Sequence, residues 1–497
     1  MSSIMIQGTC SSAGKSLVVT ALCRIFQQDG YKVAPFKSQN MALNSYVTIE
    51  GFEMGRAQAV QAEAAGIIPH VSMNPVLIKP TSDMKSQIIV EGKVLRSMEV
   101  MDYYAYKKKL KKIIQKNYQK VSDQYELVVI EGAGSPAEIN LKKNDLVNMG
   151  MAKIANANVL IVGDIDKGGV FASLVGTIKL LSREERKRVK GVIINKFRGD
   201  IALLQPGLAM LEKIIKIPVV GVIPFLDIDI EDEDSVTERL VYKKKTKSTE
   251  IIDIVIIKFP YMSNYTDFNP FNQYEDVTIR YVESVDQFGQ PDIIILPGTK
   301  NTIHDLQYIK KTGIFDKIIQ SSDEGTIIFG ICGGYQMMGA SVADPYGIEG
   351  DVRFETGLSF FAMETTMQRE KITAQVTGIV RGMSNELSRL NGIELKGYEI
   401  HMGTSVYTGN QGFIDSNGEL TGSFNENIIG TYMHGVFDTA LFTRTILNCI
   451  RKKKGYTMRE NEISYREYKE DQYNTLAEKV RSALDIDLIY RIIHADN

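Results

Sequence analysis

The chain has 497 residues, 44% apolar and 24% charged, a size and balance that imply two or three globular domains rather than one core. A formal net charge of −2 gives no electrostatic reason for nucleic acid to be a main partner, and no apolar run reaches the roughly 18–20 residues that span a membrane. The four cysteines lack the spacing of a disulfide framework or a zinc site, and "MSSIMIQGTC" lacks the basic and apolar regions of a signal peptide, so a reducing cytoplasm is the expected setting.

From the N-terminus, "SIMIQG", "YKVAPFK", "ELVVIEGAG", "NVLIVGDID", "KGVIINKF" and "VVGVIPF" are short, nearly continuous apolar runs that end at glycines or charges, with helical patterns between several of them. That pattern predicts parallel strands covered on both faces, hence a doubly wound α/β sheet over residues 1–228 with its ligands beyond the C-terminal strand ends. An acidic and then a basic run follows at 229–250, read as a linker. A second α/β series, "IIDIVIIKFP", "PDIIILPGTKN" and "TIIFGICGG", opens a domain over 251–440. Residues 441–497 are polar and helical in pattern, an expected C-terminal extension. No internal repeat is present.

"GTCSSAGKS", residues 8–16, follows the first strand and precedes a helix, the setting of a phosphate-binding loop in which backbone N–H groups and a helix N-terminus face phosphate oxygens. Gly8, Thr9, Ser12 and Gly14 form the loop, Lys15 would reach the β- and γ-phosphates, and Ser16 would ligate Mg²⁺. The spacing is one residue longer than the common motif and is similar to that of dethiobiotin synthetases, which activate carboxylates with ATP. Glu131 and Asp164 end later strands as further candidate Mg²⁺ ligands, with Asp166 close by. Lys37 in "PFKSQN" would neutralise charge on a phosphoryl group or a carboxylate. Asn195 stands where an adenine contact is expected in relatives, though a strand-end Asn also serves plain turn chemistry.

In the second series, Cys332 lies in Gly330-Ile331-Cys332-Gly333-Gly334. This has the form of a nucleophile elbow, a strained strand-to-helix turn that exposes its central side chain. The other reading, a buried structural cysteine, leaves the flanking glycines without a purpose. Backbone N–H groups at Gly333 and in the Gly298-Thr299 turn are candidate oxyanion donors. Of five histidines, His434 in "TYMHGVFD" is the candidate base and His401 in "GYEIHMG" its competitor.

Together, "QGTCSSAGKS", "PFKSQNMALNS", "EGAGSPAEINL", "GDIDKGGVFAS", "INKFRGD", "LPGTKNTIHDL", "GICGGYQMMG", "GYEIHMG" and "YMHGVFD" resemble the cobyric acid synthases, glutamine-dependent amidases of cobalamin synthesis. The resemblance implies an ATP-dependent synthetase domain followed by a class I glutamine amidotransferase domain of flavodoxin-like fold. It further implies release of ammonia from glutamine at Cys332 and His434, internal transfer of that ammonia, and amidation of the b, d, e and g carboxylates of adenosylcobyrinic acid a,c-diamide through acyl phosphates. ATP and Mg²⁺ are the implied cofactors and small molecules the partners, with oligomeric state left open. Cobyrinic acid a,c-diamide synthase is the nearest alternative. More distant ones are a cysteine hydrolase of the dienelactone type and a non-catalytic, nucleotide-switched binding module. Class I amidotransferases usually carry a Glu two residues after the histidine; Val436 stands there, which leaves Asp438, Glu399 or a backbone carbonyl as candidates to orient His434.

Overall fold

The six N-terminal apolar runs are all strands in the computed structural model, which describes residues 2–80, 85–231, 250–407, 413–415, 420–460 and 463–495. They are β1 (Ser2–Gly8), β2 (Val33–Phe36), β3 (Leu127–Glu131), β4 (Asn158–Asp164), β5 (Val189–Phe197) and β6 (Val219–Pro224). Every pairing is parallel, in the order β6-β5-β4-β1-β3-β2. Every residue of β3 and β4 is buried, which is why these strands read as unbroken apolar runs rather than alternating ones. Strand order reverses at β1, so a crevice opens beyond its C-terminal end. Helix α1 (Lys15–Gln28) begins there and is buried on most sides, with Val18, Val19, Thr20, Ala21, Leu22 and Cys23 buried without a break and Ile25 and Phe26 beyond them. Helix α2 (Arg56–Ala64) lies in the same part of the chain.

The C-terminal series builds β7 (Ile252–Ile257), β8 (Val277–Val282), β9 (Ile293–Leu296) and β10 (Ile327–Ile331), then a long hairpin of β11 (Met363–Val380) and β12 (Glu394–Tyr407), then β13 (Ile428–Thr431). The parallel strands run β8-β7-β9-β10-β13, the flavodoxin-like order. Antiparallel pairing from β13 then carries the sheet through Leu420–Asn425 and Phe413–Asp415 to the hairpin. Helix α3 (Gly333–Met337) follows β10 directly. Among the described residues, no helix is long and apolar enough to cross a membrane.

The chain divides into two units, one of Met1–Ala42, Glu53–Glu233 and Lys469–Asn497, the other of Leu43–Phe52 and Asp234–Tyr468. Most of the linker expected at 229–250 lies outside the described residues, which omit 232–249. Two features differ from the sequence expectation. The stretch 441–497 is not one extension. Helix α4 (Ala440–Lys454) buries Phe442, Ile446, Leu447 and Ile450 in the core of the second unit. The end of α5 (Tyr465–Ala483) and α6 (Ile486–His494) bury Tyr473, Leu476, Ala477, Val480, Ile489, Ile492 and Ile493 in the core of the first. The second difference is the ten-residue segment Leu43–Phe52, which leaves the N-terminal sheet domain and belongs to the other unit.

Candidate active site

In the first unit, the loop after β1 turns through left-handed Ser12 (φ 57°) and Gly14 (φ 96°) before Lys15 opens α1. A methyl group on Gly14 would lie 2.0 Å from Asn195 Nδ2, so the position requires glycine for space as well as for its backbone angle. Asn195 donates that Nδ2 to the Ala13 carbonyl at 3.0 Å and so braces the loop. Thr9 N–H donates to the Val162 carbonyl on β4 at 2.9 Å. Lys15 Nζ donates to the carbonyls of Cys10 (3.0 Å) and Gly134 (3.3 Å), so its side chain folds back over the loop.

Glu131, at the end of β3 and buried, collects donors: Ser16 Oγ at 2.8 Å, Lys37 Nζ at 2.9 Å and the side-chain amide of Gln61, with Gln58 Nε2 at 3.5 Å. Burial acts to raise its carboxyl, but the Lys37 charge, aided by hydrogen bonds from Lys37, Gln61 and Ser16, outweighs that and holds it below the usual carboxylate range. Asp164 ends β4, on the opposite side of β1; its Oδ1 accepts from Asp166 N–H at 2.9 Å, and Lys196 Nζ lies 3.1 Å from its Oδ2. Of the candidates named from the sequence, Ser16 and Lys37 both contact Glu131 while Asp164 lies on the other side of β1; Gln58 and Gln61 on α2, which the sequence did not single out, also reach Glu131. Among the described residues no three His, Cys, Asp or Glu side chains converge on one point. Ser16 and Glu131 do offer adjacent hard oxygens, the donor set of a Mg²⁺ that keeps its waters and phosphates as remaining ligands.

In the second unit, Cys332 caps β10 with φ 51° and ψ −110°, a left-handed strain that a non-glycine residue holds only where surrounding structure enforces it. Packing enforces it here: a methyl group on Gly334 would sit 2.0 Å from the Leu296 carbonyl oxygen, and one on Gly333 would sit 2.6 Å from Thr299 Cγ2. The Gly298-Thr299 turn therefore abuts the elbow, and a methyl on Gly298 would lie 3.1 Å from His434 Cε1. The Cys332 thiol points at the Ile400 carbonyl on β12, Sγ to O 3.6 Å.

His434 is 1% exposed, and its Nδ1 meets Asp267 Oδ2 at 2.7 Å; Asp267 Oδ1 accepts from Gly435 N–H at 3.2 Å. Burial disfavours the charged imidazole, but Asp267, reinforced by Cys332, overrides it and raises His434 to about 10. With Nδ1 committed to Asp267, Nε2 is the atom left for proton transfer, and it accepts or donates no other hydrogen bond among the described residues. The Tyr398 ring stacks on the imidazole at 5.2 Å between centroids. His401, the competitor, points its Nδ1 to the Gly403 carbonyl at 2.8 Å and its Nε2 to Glu399 at 3.4 Å, and stacks on Tyr432.

Asp267, not Glu399 or Asp438, is thus the carboxylate on His434. It lies 167 residues away in sequence, in a turn after β7, so no local spacing reveals it. The one signal available is topological: an acid beyond a C-terminal strand end, at the edge where Cys332 and His434 also stand. A cysteine on a strained turn, a buried histidine and a carboxylate on that histidine, with backbone N–H groups beside the cysteine, are an arrangement that acyl-transfer chemistry can use.

Residues 4–236 match the family model of the CobQ/CobB/MinD/ParA nucleotide binding domain, and residues 253–442 that of the CobB/CobQ-like glutamine amidotransferase domain. Three relatives named cobyric acid synthase align over 99% of this chain. Those from Lachnoclostridium phytofermentans and Clostridium botulinum are each 51% identical over 99% of their own length, and that from Caldanaerobacter subterraneus subsp. tengcongensis is 50% identical over 98%. A nucleotide-binding loop on one sheet, a cysteine–histidine–aspartate site on another, and full-length similarity at this level together make the chain a member of the cobyric acid synthase family of glutamine-dependent amidotransferases.

Proposed function

We propose that the chain uses ATP and glutamine to amidate the b, d, e and g carboxylates of adenosylcobyrinic acid a,c-diamide, yielding adenosylcobyric acid in the cytoplasm. The observation that carries the glutamine half is the pairing of the strained Cys332 with a buried His434 held at Nδ1 by Asp267. With His434 raised to about 10, the Cys332 proton already rests on His434 Nε2, and the thiolate attacks the glutamine amide carbon while the N–H groups of Gly333 and the Gly298-Thr299 turn receive the oxyanion. Collapse returns the proton to the departing nitrogen, which leaves as ammonia. Water, deprotonated at the same Nε2, then cleaves the thioester to glutamate and restores the thiol.

At the loop after β1, a substrate carboxylate oxygen attacks the γ-phosphorus of ATP, ADP leaves, and ammonia displaces phosphate from the resulting acyl phosphate. Activation is needed because a bare carboxylate oxygen is a poor leaving group. Lys15 and Lys37 hold and neutralise the transferred phosphoryl group. Ser16 and Glu131, with Asp164 across β1, are the residues that would hold Mg²⁺, which supplies charge neutralisation on the phosphates when bound. Asn195 keeps the loop in shape.

Incubating the enzyme with ATP, glutamine and the corrinoid, then counting added amides by mass spectrometry, tests the whole reading; four are expected, and amides gained at the a and c positions of cobyrinic acid instead would overturn it. Cys332→Ala is expected to abolish glutamine-driven amidation while leaving ammonia-driven amidation intact.

A further inference from the structure

The segment Leu43–Phe52 is covalently part of the nucleotide-binding half yet belongs to the amidotransferase unit. There its side chains are not loosely laid on a surface: Asn44, Ser45, Val47 and Thr48 are all fully buried. Asn44 Oδ1 accepts from Tyr265 N–H at 3.2 Å, and Ser45 N–H donates to Asn264 Oδ1 at 3.3 Å. The Tyr398 hydroxyl donates to the Ser45 carbonyl at 3.4 Å and receives Asn264 Nδ2 at 3.0 Å. Val47 packs with Tyr398 and Ile400.

Each of these partners adjoins the glutaminase machinery. Asn264, in a left-handed conformation, caps the turn that carries Asp267, and its carbonyl accepts Asp267 N–H at 3.1 Å. Tyr398 stacks on His434 and exchanges both backbone hydrogen bonds with it, at 2.8 and 3.2 Å. Ile400 supplies the carbonyl that faces the Cys332 thiol. The two stems of the excursion, meanwhile, end at the phosphate site of the first unit. Lys37 precedes the segment and Gln58 and Gln61 follow it, all three on Glu131, and Asn40 Nδ2 ties the stems together by donating to Gln58 Oε1 at 2.9 Å.

We propose that Leu43–Phe52 is a positioning strap for the His434–Asp267 pair, with Asn44 its principal anchor, so that one stretch of chain, 37–61, registers the ligand state around Glu131 and sets the geometry of glutamine hydrolysis. The proposal rests on the reading of Cys332 as the glutaminase nucleophile. A lost anchor lets the Asp267 turn and Tyr398 relax, and displacement of a base by a fraction of an ångström slows chemistry without weakening substrate binding.

In the full-length enzyme, Asn44→Ala is expected to lower kcat for glutamate release from glutamine about tenfold or more, with KM for glutamine and the ammonia-driven amidation rate each kept within about twofold. Any stimulation of glutamate release by ATP and corrinoid should shrink in parallel. Tyr398→Phe, which keeps the ring stacked on His434 and removes only the hydroxyl, is expected to act in the same direction and carries the test if Asn44→Ala fails to fold. Unchanged kcat in both variants, or a proportionate fall of glutamine- and ammonia-driven rates, overturns the strap. Failure of the wild-type enzyme to release glutamate from glutamine instead overturns the underlying assignment of Cys332.

Discussion

The most consequential single side chain is Asp267. It turns a buried histidine, which isolation would keep neutral, into one raised to about 10. Because this value lies above the ordinary 6.5, the pair contributes stability that is fully present below pH 6.5 and is lost as pH rises toward 10. Asp267→Asn is expected to lower the His434 pKa sharply, read by NMR of labelled imidazoles in a protein with only five histidines, and to cut glutamine hydrolysis by about 10²-fold or more through loss of ring orientation. Cys332 and His434 were legible in the sequence because glycines and strand ends frame them. Asp267 was not, because its link to His434 exists only after β7 and β13 enter one sheet. The usual acid position, held by Val436, is fully buried among apolar neighbours.

At the level of elements, what the sequence disclosed depended on how completely an element is buried. Parallel strands with both faces covered stand out as apolar runs; the hairpin β11–β12 does not, since its residues alternate between buried, half-buried and exposed along its length. That hairpin carries Tyr398, Ile400 and His401, so the least legible element supplies much of the wall of the cysteine site. Burial also leaves a marker at the start of the helix Thr302–Lys311, behind the elbow. Glu349, half-buried, accepts from Ile303 N–H (3.3 Å) and from Thr302 Oγ1 (3.2 Å), which also reaches Gln336. Loss of solvent pushes its carboxyl up to about 7, against the pull of the Ile303 N–H and Lys300. The folded state then binds this proton more tightly than the unfolded chain, so stability falls as pH rises from 4.5 through 7. Glu349→Gln is expected to flatten that part of the stability–pH curve, measured by denaturant unfolding at several pH values, and to leave the enzyme relatively more stable at pH 8.

For the molecule as a whole, the terminal helices matter because they complete a core rather than decorate it. Seven apolar side chains of α5 and α6 join the sheet and α1 in one cluster, and Asn158 on β4 donates to the Ile492 carbonyl at 2.6 Å. Removal of residues 469–497 is therefore expected to unfold the nucleotide-binding unit and leave the amidotransferase core protected, a pattern that limited proteolysis with fragment mass analysis would read out. This was hidden in the sequence because an amphipathic helix shows that it buries a face but not against which partner.

The same arrangement separates the order in which the chain is made from the order in which it can finish folding. Synthesis at 5–20 residues per second takes roughly 25–100 s for 497 residues, and the N-terminal sheet, whose last strand ends at Pro224, waits about half of that time for its last two helices. The amidotransferase unit can close in the interval, apart from its strap, which is already on hand from the first tenth of the chain. The nascent chain thus exposes an unfinished, glycine-looped apolar sheet to its surroundings for about half of translation, and it is there, rather than in the later-made unit, that a holding chaperone has something to bind.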